Sequence, residues 1–186
     1  MKQSQQQLLL QLAKDAIHEA VLHKHIIDKA KLQQEHPWLD QKGAVFVIIN
    51  KAHHLRGCIG SIIAHQSLLE DTIHNAKAAA LSDPRFKPIS PEELERLEIE
   101  LSILSQPTEV IYKDTEELKR KIEVGVDGIV LKYNTYQATY LPSVWEQLPT
   151  FEEFFGSLCQ KAGLMAGCLS LHPRIYKYQA IKIKER

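Results

Sequence analysis

The sequence has few cysteines and no long apolar run, and both absences limit what the chain can be. Three cysteines, Cys58, Cys159 and Cys168, occur in 186 residues, and no two are spaced as C-x-x-C. An odd number without paired spacing argues against a disulfide framework and favours a reducing compartment. No stretch approaches the roughly eighteen apolar residues that span a bilayer, and the first residues do not have the pattern of a signal peptide. We therefore expect a cytoplasmic protein that does not enter a membrane.

The sequence also lacks an excess of either positive or negative charge. Twenty-three basic residues balance 23 acidic ones, so the formal net charge is zero. The chain as a whole is therefore not expected to attract nucleic acid, although a local basic patch stays open as an alternative. The 44% hydrophobic and 25% charged shares are those of an ordinary globular protein. A length of 186 residues predicts a single domain over 1–186, with room for a small subdomain within it.

Several catalytic and cofactor motifs are absent. There is no G-x-S-x-G nucleophile elbow, no G-x-x-x-x-G-K phosphate loop and no G-x-G-x-x-G dinucleotide pattern, so we expect no cofactor of these classes. Four histidines lie near Cys58 in the sequence and are potential zinc ligands: His53, His54, His65 and His74. Their spacing matches no known ligand pattern, and we expect no metal site.

Hydrophobic periodicity predicts a chain of mixed helices and strands. Helices are expected over 5–23, 68–80, 114–125 and 151–162, with a short one after Ser90. Ser90 with Glu93, and Thr150 with Glu153, have the spacing of capping boxes at the starts of two of these helices. Strands are expected over 44–50, 55–62, 98–104 and 174–183, with a hairpin over 127–142 that turns at Asn134–Thr135. The first strand is apolar throughout, which predicts burial on both faces. Consecutive strands joined as hairpins indicate an antiparallel sheet with helices against it, an α+β fold.

The segment "HLRGCIGSI" at 54–62 is the first candidate site. Gly57 and Gly60 bracket Cys58, and Arg56 precedes them. Such a thiol is sterically accessible, and the Arg56 cation would lower its pKa and favour a nucleophilic thiolate. The alternative is a small buried apolar residue, which is how a free cysteine usually behaves. The glycines also predict a β-bulge that re-aims Arg56 or Cys58.

The segment "DPRF" at 83–86 is the second candidate. Asp83 can brace the turn, Arg85 offers a planar set of hydrogen-bond donors, and Phe86 can anchor in the core. The alternative is a purely structural turn.

The aromatic residues over 140–155 also have two interpretations. Phe154 or Phe155 is expected in the core. Tyr140 and Trp145 could belong either to the core or to a binding surface, and the sequence leaves both interpretations open.

These segments together resemble the AMMECR domain, since "LRGCIG" and "DPRF" are both intact and in order. The resemblance covers nearly the whole chain. It implies an α+β fold with a barrel-like, mainly antiparallel sheet, flanked by helices, and a smaller subdomain. It also implies a surface cleft lined by Leu55, Arg56, Gly57, Cys58, Ile59 and Gly60, and we expect Asp83 and Arg85 to form a second rim. After "KAGL", relatives commonly carry a tryptophan where this chain has Cys168 and Leu169.

The resemblance implies partners but no reaction. Prokaryotic members are similar to protein A of the AmmeMemoRadiSam system. They are encoded with, or fused to, a Memo-type protein resembling extradiol dioxygenases and a radical SAM protein. The first hypothesis is a binding or adaptor component in which Arg56 and Arg85 grip an anionic group. The second is a small enzyme that uses Cys58 as a nucleophile or redox thiol on an anionic substrate. Nucleic-acid binding is a weaker third alternative.

Overall fold

The computed structural model describes residues 1–185 and divides them into two compact units. Unit 1 contains Met1–Leu104 and the chain from Ile181 onward, and unit 2 contains Ser105–Ala180. Each unit has one four-stranded sheet with helices, so the predicted α+β class is confirmed. The expected barrel-like sheet is not observed, because the strands form two separate open sheets, each with two edges.

Unit 1 contains three helices and four strands. The helices are α1 (Gln3–Leu22), α2 (Lys29–Glu35) and α3 (Leu68–Leu81), and the strands are β1 (Ala44–Lys51), β2 (His54–Gly60), β3 (Leu97–Leu104) and β8 (Ala180–Lys184). Short 3₁₀ helices cover Pro37–Asp40 and Pro91–Arg96. The sheet order is β2-β1-β3-β8, and β1 pairs antiparallel with both β2 and β3.

The core of unit 1 lies between one face of this sheet and the helices α1 and α3. Val45, Val47 and Ile49 of β1 are fully buried, whereas the alternating Phe46 and Ile48 are half-buried. Side chains alternate between the faces of a strand, so the helices cover only one of these faces. The expectation that β1 is buried on both faces was wrong.

Two local features of unit 1 differ from the prediction. Residues 29–35 form α2, which the sequence did not predict; the side chain of Asp28 caps it by accepting the amide of Lys31. The helix expected after Ser90 is a 3₁₀ helix of six residues, although the predicted capping box between Ser90 and Glu93 is formed.

Unit 2 contains two helices and four strands. These are β4 (Thr108–Val110), α4 (Thr115–Lys121), β5 (Gly128–Tyr133), β6 (Tyr136–Tyr140), α5 (Phe151–Lys161) and β7 (Arg174–Tyr178), with 3₁₀ helices at Pro142–Glu146 and Cys168–Leu171. The sheet order is β4-β7-β5-β6. The predicted hairpin is confirmed, and Asn134 supplies the left-handed residue of its turn with φ 52°. The single strand expected over 174–183 is instead two strands, β7 and β8, in different sheets.

Stacked aromatic rings form the core of unit 2. Trp145 and Phe154 stack with ring centroids 3.7 Å apart, and Phe155 is also buried. Trp145 donates its indole N–H to the carbonyl oxygen of Asp127 at 2.8 Å, as a buried indole requires. Phe154 and Phe155 are therefore core residues, as predicted, and Trp145 joins them.

Cys159 and Cys168 form a disulfide, so the expectation of a chain without disulfides was wrong. The two cysteines are nine residues apart and both are buried. Gly163 follows α5 with φ 89° and reverses the chain, which brings the 3₁₀ helix Cys168–Leu171 back against α5. Sequence spacing did not indicate this pairing because it depends on that reversal.

In residues 1–185, every helix is too short or too polar to cross a membrane.

Candidate functional site

The LRGCIG segment forms the edge strand β2 of the sheet in unit 1. Ile49 pairs with Gly57 and Asn50 pairs with Leu55, so Arg56 is an extra residue in the ladder. This is the predicted β-bulge, and it lies at Arg56. Gly60 by contrast stays in register opposite Phe46.

Close packing within the protein accounts for both glycines of the segment. A Cβ at Gly57 would lie 2.2 Å from the carbonyl oxygen of Ala79 in α3, and a Cβ at Gly60 would lie 2.2 Å from Cγ of Phe46. Any larger residue at these positions would overlap atoms of the same unit. The glycines therefore let β2 approach α3 and Phe46.

The outward main-chain groups of Cys58 are bound by the DPRF segment. The amide of Cys58 donates to Oδ2 of Asp83 at 2.9 Å, and Nη2 of Arg85 donates to the carbonyl oxygen of Cys58 at 3.4 Å. A neighbouring strand would supply one acceptor and one donor at these points. The Asp83–Arg85 pair supplies both from side chains and so covers the edge of β2.

Asp83 and Arg85 also bind each other in a fork. Asp83 Oδ1 accepts from Nε of Arg85 at 3.0 Å, and Oδ2 accepts from Nη2 at 2.8 Å. Asp83 is buried, and these bonds with Arg85 hold the pKa of its carboxyl well below its usual range. The Arg85 side chain remains 54% exposed, with its guanidinium 5.4 Å from the centre of the Phe86 ring. Arg85 is thus an exposed cation in a fixed orientation.

Arg56 points away from Cys58, contrary to the expectation that its cation would act on the thiol. Its Nε and Nη2 donate to the two carboxylate oxygens of Glu93 at 3.0 and 2.9 Å, and Nη1 donates to the carbonyl oxygen of Lys87 at 2.8 Å. Its side chain is only 17% exposed. The bulge turns Arg56 toward residues 87–93, so its donors stabilise the fold.

The Cys58 thiol is half-buried, and its surroundings raise its pKa. Burial raises the pKa of the thiol, and the nearby Asp83 carboxylate raises it further, while the Arg85 cation acts in the opposite direction. The thiol therefore stays protonated at neutral pH, where a catalytic cysteine needs a thiolate. The cation beside it is Arg85 rather than Arg56.

Leu55 and Ile59, the remaining members of the hexapeptide, differ in their burial. Leu55 is exposed, whereas Ile59 packs against the core of unit 1. Of the eight predicted site residues, Leu55 and Arg85 are exposed and Cys58 is half-buried. Asp83 fixes Arg85, and the other four hold the strand in place: Arg56, Gly57, Ile59 and Gly60.

Sequence reasoning missed two polar partners in this unit. Glu93 was recognised for its capping box, but it also accepts Nζ of Lys51 at 2.7 Å in addition to Arg56. These bonds lower the pKa of Glu93 to about 2. Asp71, buried in α3, accepts the amide of Val45 at 2.8 Å and the hydroxyl of Ser61 at 2.7 Å. The sequence signal that could have identified Asp71 is its carboxylate, which lies among the apolar residues of a predicted helix.

Within residues 1–185, no group of three or more His, Cys, Asp or Glu side chains is close enough to bind a metal ion.

Comparison with known proteins shows the family. The AMMECR1 family model matches residues 10–183. Protein TK0174 of Thermococcus kodakarensis is 36% identical over 94% of this chain and 87% of its own length, and Protein TV1384 of Thermoplasma volcanium is 41% identical over 80% and 72%. The crystal structure of the uncharacterized protein PH0010 from Pyrococcus horikoshii superimposes with a TM-score of 0.86 at 36% identity, covering 98% of this chain and 92% of that one. The chain belongs to the AMMECR1 family.

Proposed function

We propose that this AMMECR1-family protein is a binding component that acts with a Memo-type protein and a radical SAM protein. Its binding surface consists of Arg85, Cys58 and Leu55. The ligand group is an anion, such as a carboxylate of the partner, that Arg85 contacts. The identity of the partners is inferred from the resemblance of the two motifs to the AmmeMemoRadiSam branch. The choice of surface residues is based on the geometry of unit 1.

The exposed guanidinium of Arg85 is the observation that supports this proposal. Its side chain is 54% exposed although Asp83 grips it through two oxygens. An arginine held in this way loses little conformational entropy when it binds an anion, since its orientation is already fixed. Arg56, the other arginine of the hypothesis, already has its donors bound and does not contribute.

The raised pKa of Cys58 favours binding over covalent catalysis. A protonated, half-buried thiol reacts slowly. The enzyme hypothesis instead requires a thiolate at neutral pH. Iodoacetamide labelling of the folded protein distinguishes the two: we expect Cys58 to react more slowly than a free cysteine at pH 7, and faster labelling would support the enzyme.

The test is a pull-down with the purified Memo-type and radical SAM proteins encoded in the same genome. We expect Arg85→Gln to lose most of the bound partner, while Cys58→Ser retains it. Arg174→Gln is the matched control, because Arg174 is also an exposed arginine held through two oxygens by a carboxylate, that of Glu109. Because Arg85→Gln also leaves the buried carboxylate of Asp83 without its partner, the comparison is made under conditions where circular dichroism shows every variant to be folded. Partner capture that is unchanged by Arg85→Gln, or absent for the unmodified protein, would refute the proposal.

A further inference from the structure

A groove of about 310 Å³ lies beside the start of α1 in unit 1. Five side chains line it: Ser4, Gln5, Leu8, His36 and Trp38. The first three belong to the first two turns of α1, and the other two to the junction between α2 and the following 3₁₀ helix. A volume of this size is at the lower end of the range for ligand sites.

Trp38 gives the groove an aromatic surface and a free hydrogen-bond donor. Its indole is half-buried and packs against the core of unit 1, as Leu8 does. In the part of the chain that the structure describes, the indole N–H has no hydrogen-bond partner and is not one of the buried polar atoms. It is therefore accessible to solvent. The indole N–H of Trp145, in contrast, is bound inside unit 2.

The other polar side chains of the groove add further donors. The Oε1 atom of Gln5 accepts the backbone amide of Lys2 at 2.8 Å, which leaves the NH₂ group of the same side chain without a partner among the described residues. The hydroxyl of Ser4 can also donate. An indole N–H and an amide NH₂ group donate and do not accept, so the groove is rich in donors. Its described lining includes no Lys, Arg, Asp or Glu.

These features fit a peptide in the polyproline II conformation. Such a chain makes no internal hydrogen bonds, so its carbonyl groups need donors from a partner. Proline has no N–H, so the chain needs few acceptors in return. Proline-rich segments dock in grooves with aromatic side chains, and little entropy is lost because their conformation is already formed. A groove with an aromatic surface, several donors and no Lys, Arg, Asp or Glu therefore favours an uncharged proline-rich segment.

We propose that the groove at Trp38 binds an uncharged, proline-rich segment of a partner protein in the polyproline II conformation. The indole N–H donates to one carbonyl oxygen of the segment, and a proline ring packs on the indole and on Leu8. The NH₂ group of Gln5 donates to a second carbonyl oxygen. The groove shares no residue with the surface that contains Arg85, and its ligand does not depend on that surface.

A second copy of this chain is a poorer occupant of the groove. The chain has its own P-x-x-P segment at 88–91, but this segment is part of the fold of unit 1. Ile89 within it is buried, and the carbonyl oxygen of Pro88 accepts from Nη2 of Arg56. Binding to another copy would require this segment to leave its own core.

The experiment titrates octaproline with acetylated and amidated ends into the full chain and follows the indole N–H signals by NMR. We expect the signal of Trp38 to shift and that of Trp145 to stay. Calorimetry gives the affinity of each variant. Trp38→Phe keeps an aromatic ring without the donor and should bind about fivefold more weakly, as should Gln5→Leu. Gln7→Leu is the matched control, because Gln7 is an exposed glutamine of α1 outside the groove, and its affinity should be unchanged.

Other ligands separate polyproline recognition from general contact with the groove. Octaproline made of D-proline has the same composition and the opposite handedness, so we expect it not to bind. Equal binding of the two enantiomers, or no shift of the Trp38 signal at millimolar octaproline, would overturn the proposal. So would acetylproline amide that binds as tightly as octaproline, since the groove would then hold a single ring. A dimer in sedimentation that Trp38→Phe dissociates would also overturn it, since the occupant would then be a second copy.

Discussion

The carboxylate of Asp83 accepts the amide hydrogen of Cys58 at 2.9 Å, and this bond joins two sequence motifs across 25 residues. Arg85 adds a second bond from its guanidinium to the carbonyl oxygen of Cys58. The ion pair occupies the position that another strand would take beside β2. LRGCIG and DPRF are therefore one structural unit, which is the physical reason why they occur together in this chain.

Removing the carboxylate of Asp83 is expected to destabilise unit 1. In Asp83→Ala, the amide of Cys58 loses its acceptor and Arg85 loses its partner, which should lower the free energy of unfolding by about 2–3 kcal/mol. Urea denaturation followed by circular dichroism measures the change. Asp40→Ala removes an exposed carboxylate from the same unit and should change stability by about 0.5 kcal/mol or less. Equal effects of the two variants would contradict the role of Asp83.

Gly57 should tolerate no side chain. In Gly57→Ala the new Cβ overlaps the carbonyl oxygen of Ala79, which belongs to the backbone of α3 and cannot rotate away. We expect a loss of about 3 kcal/mol in the free energy of unfolding, measured in urea. Gly167→Ala is the control, because nothing lies within 4 Å of a Cβ there, and its stability should be nearly unchanged. A Gly57→Ala variant as stable as the parent would show that β2 does not pack on α3 as described.

The ion pairs of Glu93 should make stability depend on pH in the acid range. The pKa of Glu93 is about 2 in the folded protein, against 4.5 as its ordinary value. A lowered pKa contributes stability that is fully present above pH 4.5 and is lost as the pH falls toward 2. The contribution is about 3 kcal/mol at most.

The variant Glu93→Gln removes this dependence. We expect it to be less stable than the parent at pH 7 and similar to it near pH 2, as measured by urea unfolding at each pH. Glu95→Gln, which changes an exposed carboxyl in the same 3₁₀ helix, should follow the parent at every pH. A deficit of the same size at pH 2 and pH 7 would mean that the charge of Glu93 is not involved.

The disulfide should stabilise unit 2 through the loop that it closes. Cys159 and Cys168 are nine residues apart, and closing a loop of this size contributes about 2–3 kcal/mol in the chain-entropy model. We expect Cys159→Ala with Cys168→Ala to lower stability by this amount, and Cys58→Ser to leave it nearly unchanged.

Alkylation in denaturant tests the same bond in protein taken directly from cells. Without a reductant, one cysteine, Cys58, should be labelled, and after reduction all three should be labelled. Labelling of three cysteines without a reductant would show that the pair is a dithiol in the cell.

The predictable parts of the fold were those determined by local sequence. The periodicity of α1 and α3, the capping boxes at Ser90 and Thr150 and the turn at Asn134 were confirmed, because each depends on a few neighbouring residues. The single strand over 174–183 was wrong because nothing local indicates that Gln179 ends one sheet and begins another. The barrel-like sheet was implied by the family resemblance and not by the residues themselves, and the strands instead form two open sheets.

In the candidate site, too, the features that depend on neighbouring residues could be predicted and those that depend on distant residues could not. The bulge could be predicted from the glycines, and it lies at the neighbouring Arg56. The close packing that accounts for both glycines could not be predicted, because it depends on contacts with Ala79 and Phe46. The direction of Arg56 could not, because it depends on Glu93, which reaches it from 37 residues away. The sequence therefore suggested two arginines for binding, and the structure leaves Arg85 as the exposed one.

Hydrogen exchange in the presence of the purified Memo-type protein tests the binding proposal most directly. Amides around Arg85 and Cys58, in residues 55–61 and 83–87, should exchange more slowly when the partner is added. In Arg85→Gln this protection should disappear, and in Arg174→Gln it should remain. Protection confined to other parts of the chain, or unaffected by Arg85→Gln, would contradict the account.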